Sequence, residues 1–144
     1  MSTSIAAVTE NGLIRSHSSQ NAAALIGRVL LAVIFILSGA SKLADPAGTI
    51  GYIASAGLPL PKLAFAGAAA VELLGGLALV LGYRTRYAAL ALAAFSLLAA
   101  LAFHSALADQ NQFIHFFKNI AMAGGLLQVV AFGGGRFSLD ARRA

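Results

Sequence analysis

Four long apolar stretches dominate the sequence, and each contains an ionisable residue where a membrane interior would disfavour it. The stretches cover residues 25–43, 63–81, 87–107 and 113–132, and the ionisable residues are Arg28, Glu72, His104 and Lys118. A helix rises about 1.5 Å per residue, so each stretch can cross the roughly 30 Å hydrocarbon core of a bilayer. Charged groups at that depth normally face the interior of a helix bundle, so they predict a polar site between helices.

The composition agrees with a membrane protein. Of the 144 residues, 59% are hydrophobic and 10% are charged. A soluble domain of this length could not bury so many apolar side chains in one core. We predict an all-α integral membrane protein, a four-transmembrane-helix bundle over residues 25–135. A disordered, Ser- and Asn-containing tail over residues 1–24 precedes it, and a C-terminal tail over residues 136–144 follows.

The basic residues are distributed unequally between the two ends of the predicted bundle. One end holds Arg15, Arg28, Arg84, Arg86, Arg136, Arg142 and Arg143, and the other holds Lys42, Lys62 and Lys118. The positive-inside rule then places both termini in the cytoplasm of a multi-pass plasma-membrane protein. The net charge of +5 comes from scattered residues at span ends, which favours contact with the lipid bilayer and argues against nucleic acid as a partner.

The connection between the first two spans carries helix signals. Asp45 is a good N-cap, Pro46 suits the first helical position, and Gly57 can end the segment. We therefore predict a short interfacial helix on the non-cytoplasmic side, lying over the bundle, with Tyr52 on its flank. A plain connector anchored by Tyr52 is the alternative.

Glu72 lies near the middle of the second span, so its carboxyl group must be protonated or paired. Lys118 is the expected partner, because its flexible stem can cover a depth difference of about four residues. Snorkelling of Lys118 to the interface is the alternative. Glu72 is either a proton acceptor that contacts a ligand or half of a structural ion pair. Asn119 is expected to hydrogen-bond between helices or to a ligand.

Polar residues on the first span lie at the depth of His104 and Lys118. Ser38, Ser41 and Lys42 are spaced i, i+3 and i+4 and form one polar face. This predicts a polar cluster under the short helix that binds an amphipathic small molecule. The expected partner of His104 is Glu72, the serine face or a quinone carbonyl, whereas Arg28 is expected to snorkel to lipid phosphate.

The residue types restrict the cofactors. The chain contains no cysteine, which excludes disulfides, iron–sulfur ligation and covalent c-type haem, so no covalent cofactor is predicted. His104 and His115 suggest haem ligands, but they lie at the rim without a second pair, which disfavours haem. These histidines and Asp109 have no metal-ligand spacing, so no metal is predicted. Quinone is the favoured non-covalent cofactor.

Several motifs resemble the DoxX family of small four-helix bacterial membrane proteins. They are Gly27 to Leu31, Ile34-Phe35, Ser38-Gly39, Lys42-Leu43, Gly57-Leu58-Pro59, Glu72 with Gly75-Gly76, Leu81-Gly82, Phe103-His104, Lys118-Asn119 with Gly124 to Leu127, and Ser138-Leu139-Asp140. The resemblance covers about residues 25–140. It implies kinship with the small subunits of thiosulfate:quinone oxidoreductase and with membrane oxidoreductase complexes. Both glycine pairs are expected to permit close helix packing.

The leading hypothesis is a membrane subunit of a redox-linked system that binds a quinone or similar lipophilic molecule in the outer half of the bundle. Glu72, His104 and Lys118 would do the chemistry, and Ser38, Ser41, Lys42, Tyr52 and Asn119 would bind the ligand. Catalysis by this chain stays open. One alternative is a non-catalytic scaffold for partner redox subunits or a second copy, and another is a small transporter acting as an oligomer.

Overall fold

The regular elements are helices throughout the described part of the chain. The computed structural model describes the backbone of residues 2–143 and the side chains of residues 18–143. Five α-helices, α1 (Ser2–Ala44), α2 (Pro46–Ser55), α3 (Pro61–Leu81), α4 (Thr85–Phe103) and α5 (Gln110–Phe132), are followed by a 3-10 turn, Asp140–Arg142. Four of these segments are long and apolar enough to cross a membrane: Ser18–Ala44, α3, α4 and α5. The prediction of a four-transmembrane-helix bundle with a short extra helix is confirmed.

The four long helices form a ring. α1 packs against α3, α3 against α4 and α4 against α5, and a smaller contact between α5 and α1 closes the ring. Its apolar core is built from fully covered leucines and alanines, including Leu79, Leu92, Leu126 and Ala32. Gly76 on α3 allows the close approach of α1, because a Cβ built there would lie 2.7 Å from Ile36 Cγ1 and 3.3 Å from the Ala32 carbonyl oxygen.

Local signals set the helix ends. The Asp45 side chain accepts a hydrogen bond from the Gly48 N–H and caps α2, with Pro46 at its first position. Asp109 caps α5 in the same way through the Gln112 N–H. Gly82 ends α3 with a φ of 67°, a left-handed conformation that favours glycine. The short helix α2 is therefore confirmed, and it packs against α3 and α1.

Residues on both sides of the predicted 25–135 bundle also take part in the fold. Residues 18–24, assigned to a disordered tail, continue α1 without a break, because the alanines there are strong helix formers. The side chains of residues 1–17 lie outside the described residues. At the other terminus Ser138 is buried, and the Leu139 and Asp140 N–H groups donate to the carbonyl oxygens of Leu81 and Gly82. The C-terminal segment is thus packed against the α3–α4 turn.

Candidate ligand-binding cavity

A cavity of about 1070 Å³ lies between the helices, towards the end of the bundle that carries α2. All five α-helices contribute to its wall, which is largely apolar and includes Phe35, Phe95, Phe103 and Met122. Its polar lining contains every residue for which the sequence predicted a chemical or binding role: Ser38, Ser41, Lys42, Tyr52, Glu72, His104, Lys118 and Asn119. The volume lies just above the usual range of about 300–1,000 Å³ for small-molecule sites.

An ion pair between α1 and α3 forms one polar wall of the cavity. Lys42 Nζ lies 2.8 Å from Glu72 Oε2 and donates a hydrogen bond to Oε1 at 3.0 Å. It also donates to Ser38 Oγ at 2.8 Å, and the Ser38 hydroxyl donates to Glu72 Oε1 at 3.0 Å. The Glu72 side chain is 4% exposed and that of Lys42 is 23% exposed. Lys42 and Ser38 therefore cover much of the carboxylate, and Glu72 is the more deeply buried member of the pair on this wall.

This pairing corrects the expectation that Lys118 neutralises Glu72. Ser38 and Lys42 are four residues apart on α1, so both side chains face α3. Gly39 lets the two helices come close, because a Cβ built there would lie 2.7 Å from Leu73 Cγ and 3.3 Å from Glu72 Cβ. Lys42, on the neighbouring helix, therefore forms the ion pair with the buried carboxylate.

The opposite polar wall is formed where α4 ends and α5 begins. His104 Nδ1 is 2.8 Å from Gln112 Oε1, and the His104 and His115 rings stack with centroids 5.1 Å apart. Lys118 Nζ lies 2.9 Å from His115 Nδ1. The two imidazole rings therefore lie side by side on this wall. However, the partner of His104 within the protein is Gln112 rather than Glu72 or the serine face.

Gln112 is the polar residue of this wall that sequence reasoning missed. Its backbone N–H is bound by the Asp109 cap, which leaves the amide side chain to reach back to His104. A signal was present, because Asp followed three residues later by Gln at a helix start resembles a capping box. In this chain the glutamine amide bonds His104 instead of closing that box.

Asn119 lies next to this wall and is buried, with 9% of its surface exposed. Its Nδ2 donates to the His115 carbonyl oxygen at 2.9 Å. Because a carbonyl can only accept, this bond fixes which end of the amide is nitrogen. Asn119 lines the cavity, and its side-chain oxygen Oδ1 takes no part in the bond to His115.

α2 covers one side of the cavity. Tyr52 stacks on Phe103 of α4 with ring centroids 5.4 Å apart, and Ile53 is 4% exposed. The stack joins the short helix to the end of α4, so α2 lies across the bundle next to His104. The short helix predicted to lie over the bundle is therefore present.

Arg28 does not belong to the cavity and does not snorkel. It is 1% exposed and donates through Nη1 to the Gly134 carbonyl oxygen at 2.9 Å. Through Nη2 it donates to the carbonyl oxygens of Phe137 at 2.9 Å and Val80 at 3.4 Å. Gly134 makes room for the guanidinium, because a Cβ there would lie 2.7 Å from Nη1. Arg28 thus clasps the C-terminal segment onto α1 and α3.

Asp140, which lies outside the membrane-spanning helices, also holds the C-terminal segment in place. Its carboxylate accepts hydrogen bonds from the Arg84 N–H at 2.7 Å, the Thr85 N–H at 2.8 Å and the Thr85 hydroxyl at 2.7 Å. Partial burial raises the pKa of Asp140, but the hydrogen bonds from Thr85 and Arg84 and the nearby charge of Arg143 outweigh it, so the pKa lies below its ordinary value. The carboxylate caps the start of α4.

The fold and the cavity define a small multi-pass membrane protein with a polar site inside a four-helix bundle. The chain belongs to the DoxX family, whose model matches residues 23–105. The model of the SURF4 family also matches, over residues 69–144. No solved structure shows significant similarity to this chain.

Two curated relatives come from Escherichia coli strain K12. The inner membrane protein YqjF is 37% identical over 119 residues, which cover 81% of this chain and 88% of YqjF. The inner membrane protein YphA is 35% identical over 123 residues, which cover 82% of this chain and 88% of YphA. With four helices able to span a membrane, the chain is a multi-pass protein of the bacterial inner membrane, and the expected localisation is confirmed.

Proposed function

We propose that this protein binds a quinone or a similar neutral lipophilic molecule with an oxygenated head group, as a membrane subunit of a redox-linked system. One observation carries the proposal: the residues chosen from the sequence for their chemistry converge on a single large cavity with aromatic and aliphatic walls. Ligand sites typically combine such walls with a few convergent polar groups.

The charges on the cavity wall favour a neutral ligand. The charged residues that line it are Lys42, Asp45, Glu72 and Lys118, so their formal charges cancel. Lys42 and Glu72 already neutralise each other at 2.8 Å. An anionic or cationic ligand would have no net opposite charge to pair with, so the free-energy cost of burying its charge would weaken binding. A neutral ligand does not carry that cost.

The arrangement suits a long apolar tail and a polar head. Phe35, Phe95 and Met122 lie on the wall beside the polar groups, so a ring or a chain has apolar surface to bury. Such burial contributes about 25 cal/mol per Å² of apolar surface removed from water. Hydrogen-bonding groups at both polar walls would fix the head group.

The proposed roles follow the contacts. Lys118 and His104 lie on the cavity wall and would hydrogen-bond an oxygen of the ligand. Glu72 is covered, so it would hold Lys42 in place and accept or relay protons through Lys42 and Ser38. Ser41 and Tyr52 would contact the ligand near the α2 end, where both residues line the cavity.

The proposal is tested by photoaffinity labelling in lipid vesicles with a benzoquinone that carries a decyl tail and a diazirine. A matched glycine pair supplies the control: a Cβ at Gly67 or at Gly124 meets no atom within 4 Å, yet Gly67 alone of the two lines the cavity. Gly67→Leu should strongly reduce labelling of cavity-wall peptides, and Gly124→Leu should leave it intact. Labelling spread over the outer helix faces and indifferent to Gly67→Leu would contradict the proposal and favour the scaffold alternative.

A further inference from the structure

Asn119 presents a hydrogen-bond acceptor to the cavity that nothing in the described part of the chain satisfies. Its Nδ2 is committed to the His115 carbonyl oxygen, which leaves Oδ1 on the other side of the amide. Asn119 is 9% exposed and lines the cavity. An occupant that fills the cavity takes water away from Oδ1, and an acceptor that is buried without a donor costs about 1–3 kcal/mol, so an occupant that supplies a donor is favoured.

His104 adds a second acceptor on the same wall. Gln112 Oε1 accepts a hydrogen bond from His104 Nδ1 at 2.8 Å, so Nδ1 carries the hydrogen. A neutral imidazole with its hydrogen on Nδ1 has a free lone pair on Nε2. His104 also lines the cavity, so the wall made by α4 and α5 offers acceptors at two residues.

The donors on the cavity wall do not discriminate between ligand oxygens. Lys118 uses one N–H on His115 Nδ1 and keeps two others, which can bond a carbonyl or a hydroxyl equally. Lys42 is occupied by Ser38 and Glu72. The acceptors are selective, because only a ligand that carries an O–H or N–H can satisfy them.

We infer that the cavity selects a hydroxyl-bearing head group, so that a hydroquinone binds more tightly than the corresponding quinone, with Asn119 Oδ1 accepting from the hydroxyl. This inference rests on the proposed function and specifies its ligand. The quinone offers only acceptor oxygens and leaves Asn119 Oδ1 unsatisfied. Asn119 is thus the residue that determines specificity.

The test compares three probes of similar shape under anaerobic conditions: 2-decyl-1,4-hydroquinone, 2-decyl-1,4-benzoquinone and the dimethyl ether of the hydroquinone. Each competes against the photoaffinity probe in vesicles of wild type, Asn119→Leu and the matched control Gln128→Leu. Gln128 is an exposed amide on the same helix and does not line the cavity. One lost hydrogen bond that leaves a buried acceptor corresponds to about a tenfold change in affinity.

The expected result is that the hydroquinone binds about tenfold more tightly than the quinone and the ether in wild type and in Gln128→Leu, and that Asn119→Leu abolishes the difference. Equal binding of all three probes to wild type would overturn the inference while leaving the proposed function standing. No competition by any probe would overturn both. The wild-type comparison decides even if Asn119→Leu fails to fold.

Discussion

Lys42 Nζ lies 2.8 Å from Glu72 Oε2 and joins α1 to α3 beside the cavity. The two partners are buried unequally, because the Glu72 side chain is 4% exposed and Lys42 is 23% exposed. The loss of stability on removing the Glu72 charge should therefore differ from the loss on removing the Lys42 charge. The pair is both a link between helices and one polar wall of the proposed site.

The first prediction uses this inequality. Lys42→Met should destabilise the protein, because it leaves a covered carboxylate without its cation. The loss of stability should reach about 3 kcal/mol, which is at the low end for breaking a buried ion pair. Glu72→Gln should cost less, since Lys42 can turn towards the cavity. The double variant should recover part of the loss. Reversible unfolding in mixed micelles measures all three, and equal losses for the two single variants would contradict the asymmetry.

The second prediction concerns the clasp around Arg28. Arg28→Lys should cost about 2–3 kcal/mol, because one ammonium cannot reach carbonyl oxygens on three separate residues. Hydrogen exchange at the Leu139 and Asp140 amides should accelerate, since these groups are held on Leu81 and Gly82. Arg86→Lys, at an exposed arginine, is the control. Unchanged exchange in Arg28→Lys would show that the C-terminal segment is held without the guanidinium.

The third prediction is a pH dependence at Asp140. Its pKa is lower in the folded protein than in the unfolded chain, so its stabilising contribution is present above the unfolded pKa of about 4 and is lost as the pH falls through the folded value. Asp140→Asn should therefore lower the melting temperature at pH 7. The difference from wild type should shrink below about pH 4. A difference that is constant from pH 7 to pH 3 would rule out this linkage.

The fourth prediction separates packed glycines from open ones. Gly76→Ala should destabilise the bundle by about 1–3 kcal/mol, because its Cβ would meet the stiff Ile36 side chain and the α1 backbone. Gly124→Ala, with no atom within 4 Å of its Cβ, should stay within about 0.5 kcal/mol of wild type. Thermal unfolding of the two variants in the same detergent provides the comparison. Similar losses of stability in both variants would contradict a close α1–α3 contact at Gly76.

The sequence predicted the helices well because a bilayer imposes length and hydropathy on each span. The boundaries followed from caps such as Asp45 and Asp109, which act locally. Span three ended earlier than predicted, at Phe103, because the backbone turns at His104 and Asp109 then starts α5. Hydropathy alone is insensitive to that turn.

Partner choice within the site was harder to predict. Depth along a helix indicated that His104 and Lys118 lie near one end of the bundle and that Glu72 lies about four residues deeper than Lys118. The choice of Lys42 over Lys118 as the partner of Glu72 depends on which helix faces α3. Which helices become neighbours depends on contacts between distant segments, such as Gly39 against Leu73. The sequence of one segment alone does not show such contacts. Arg28 was misassigned for the same reason, because its partners Gly134 and Phe137 lie more than 100 residues away.

The most direct test of the central claim is native mass spectrometry of the protein extracted from its own membrane in mild detergent. The account predicts a bound lipophilic molecule of quinone or hydroquinone mass, retained by wild type and by Gly124→Leu and lost from Gly67→Leu. Wild-type protein that carries only phospholipid, with the same spectrum in Gly67→Leu, would contradict a ligand site in this cavity.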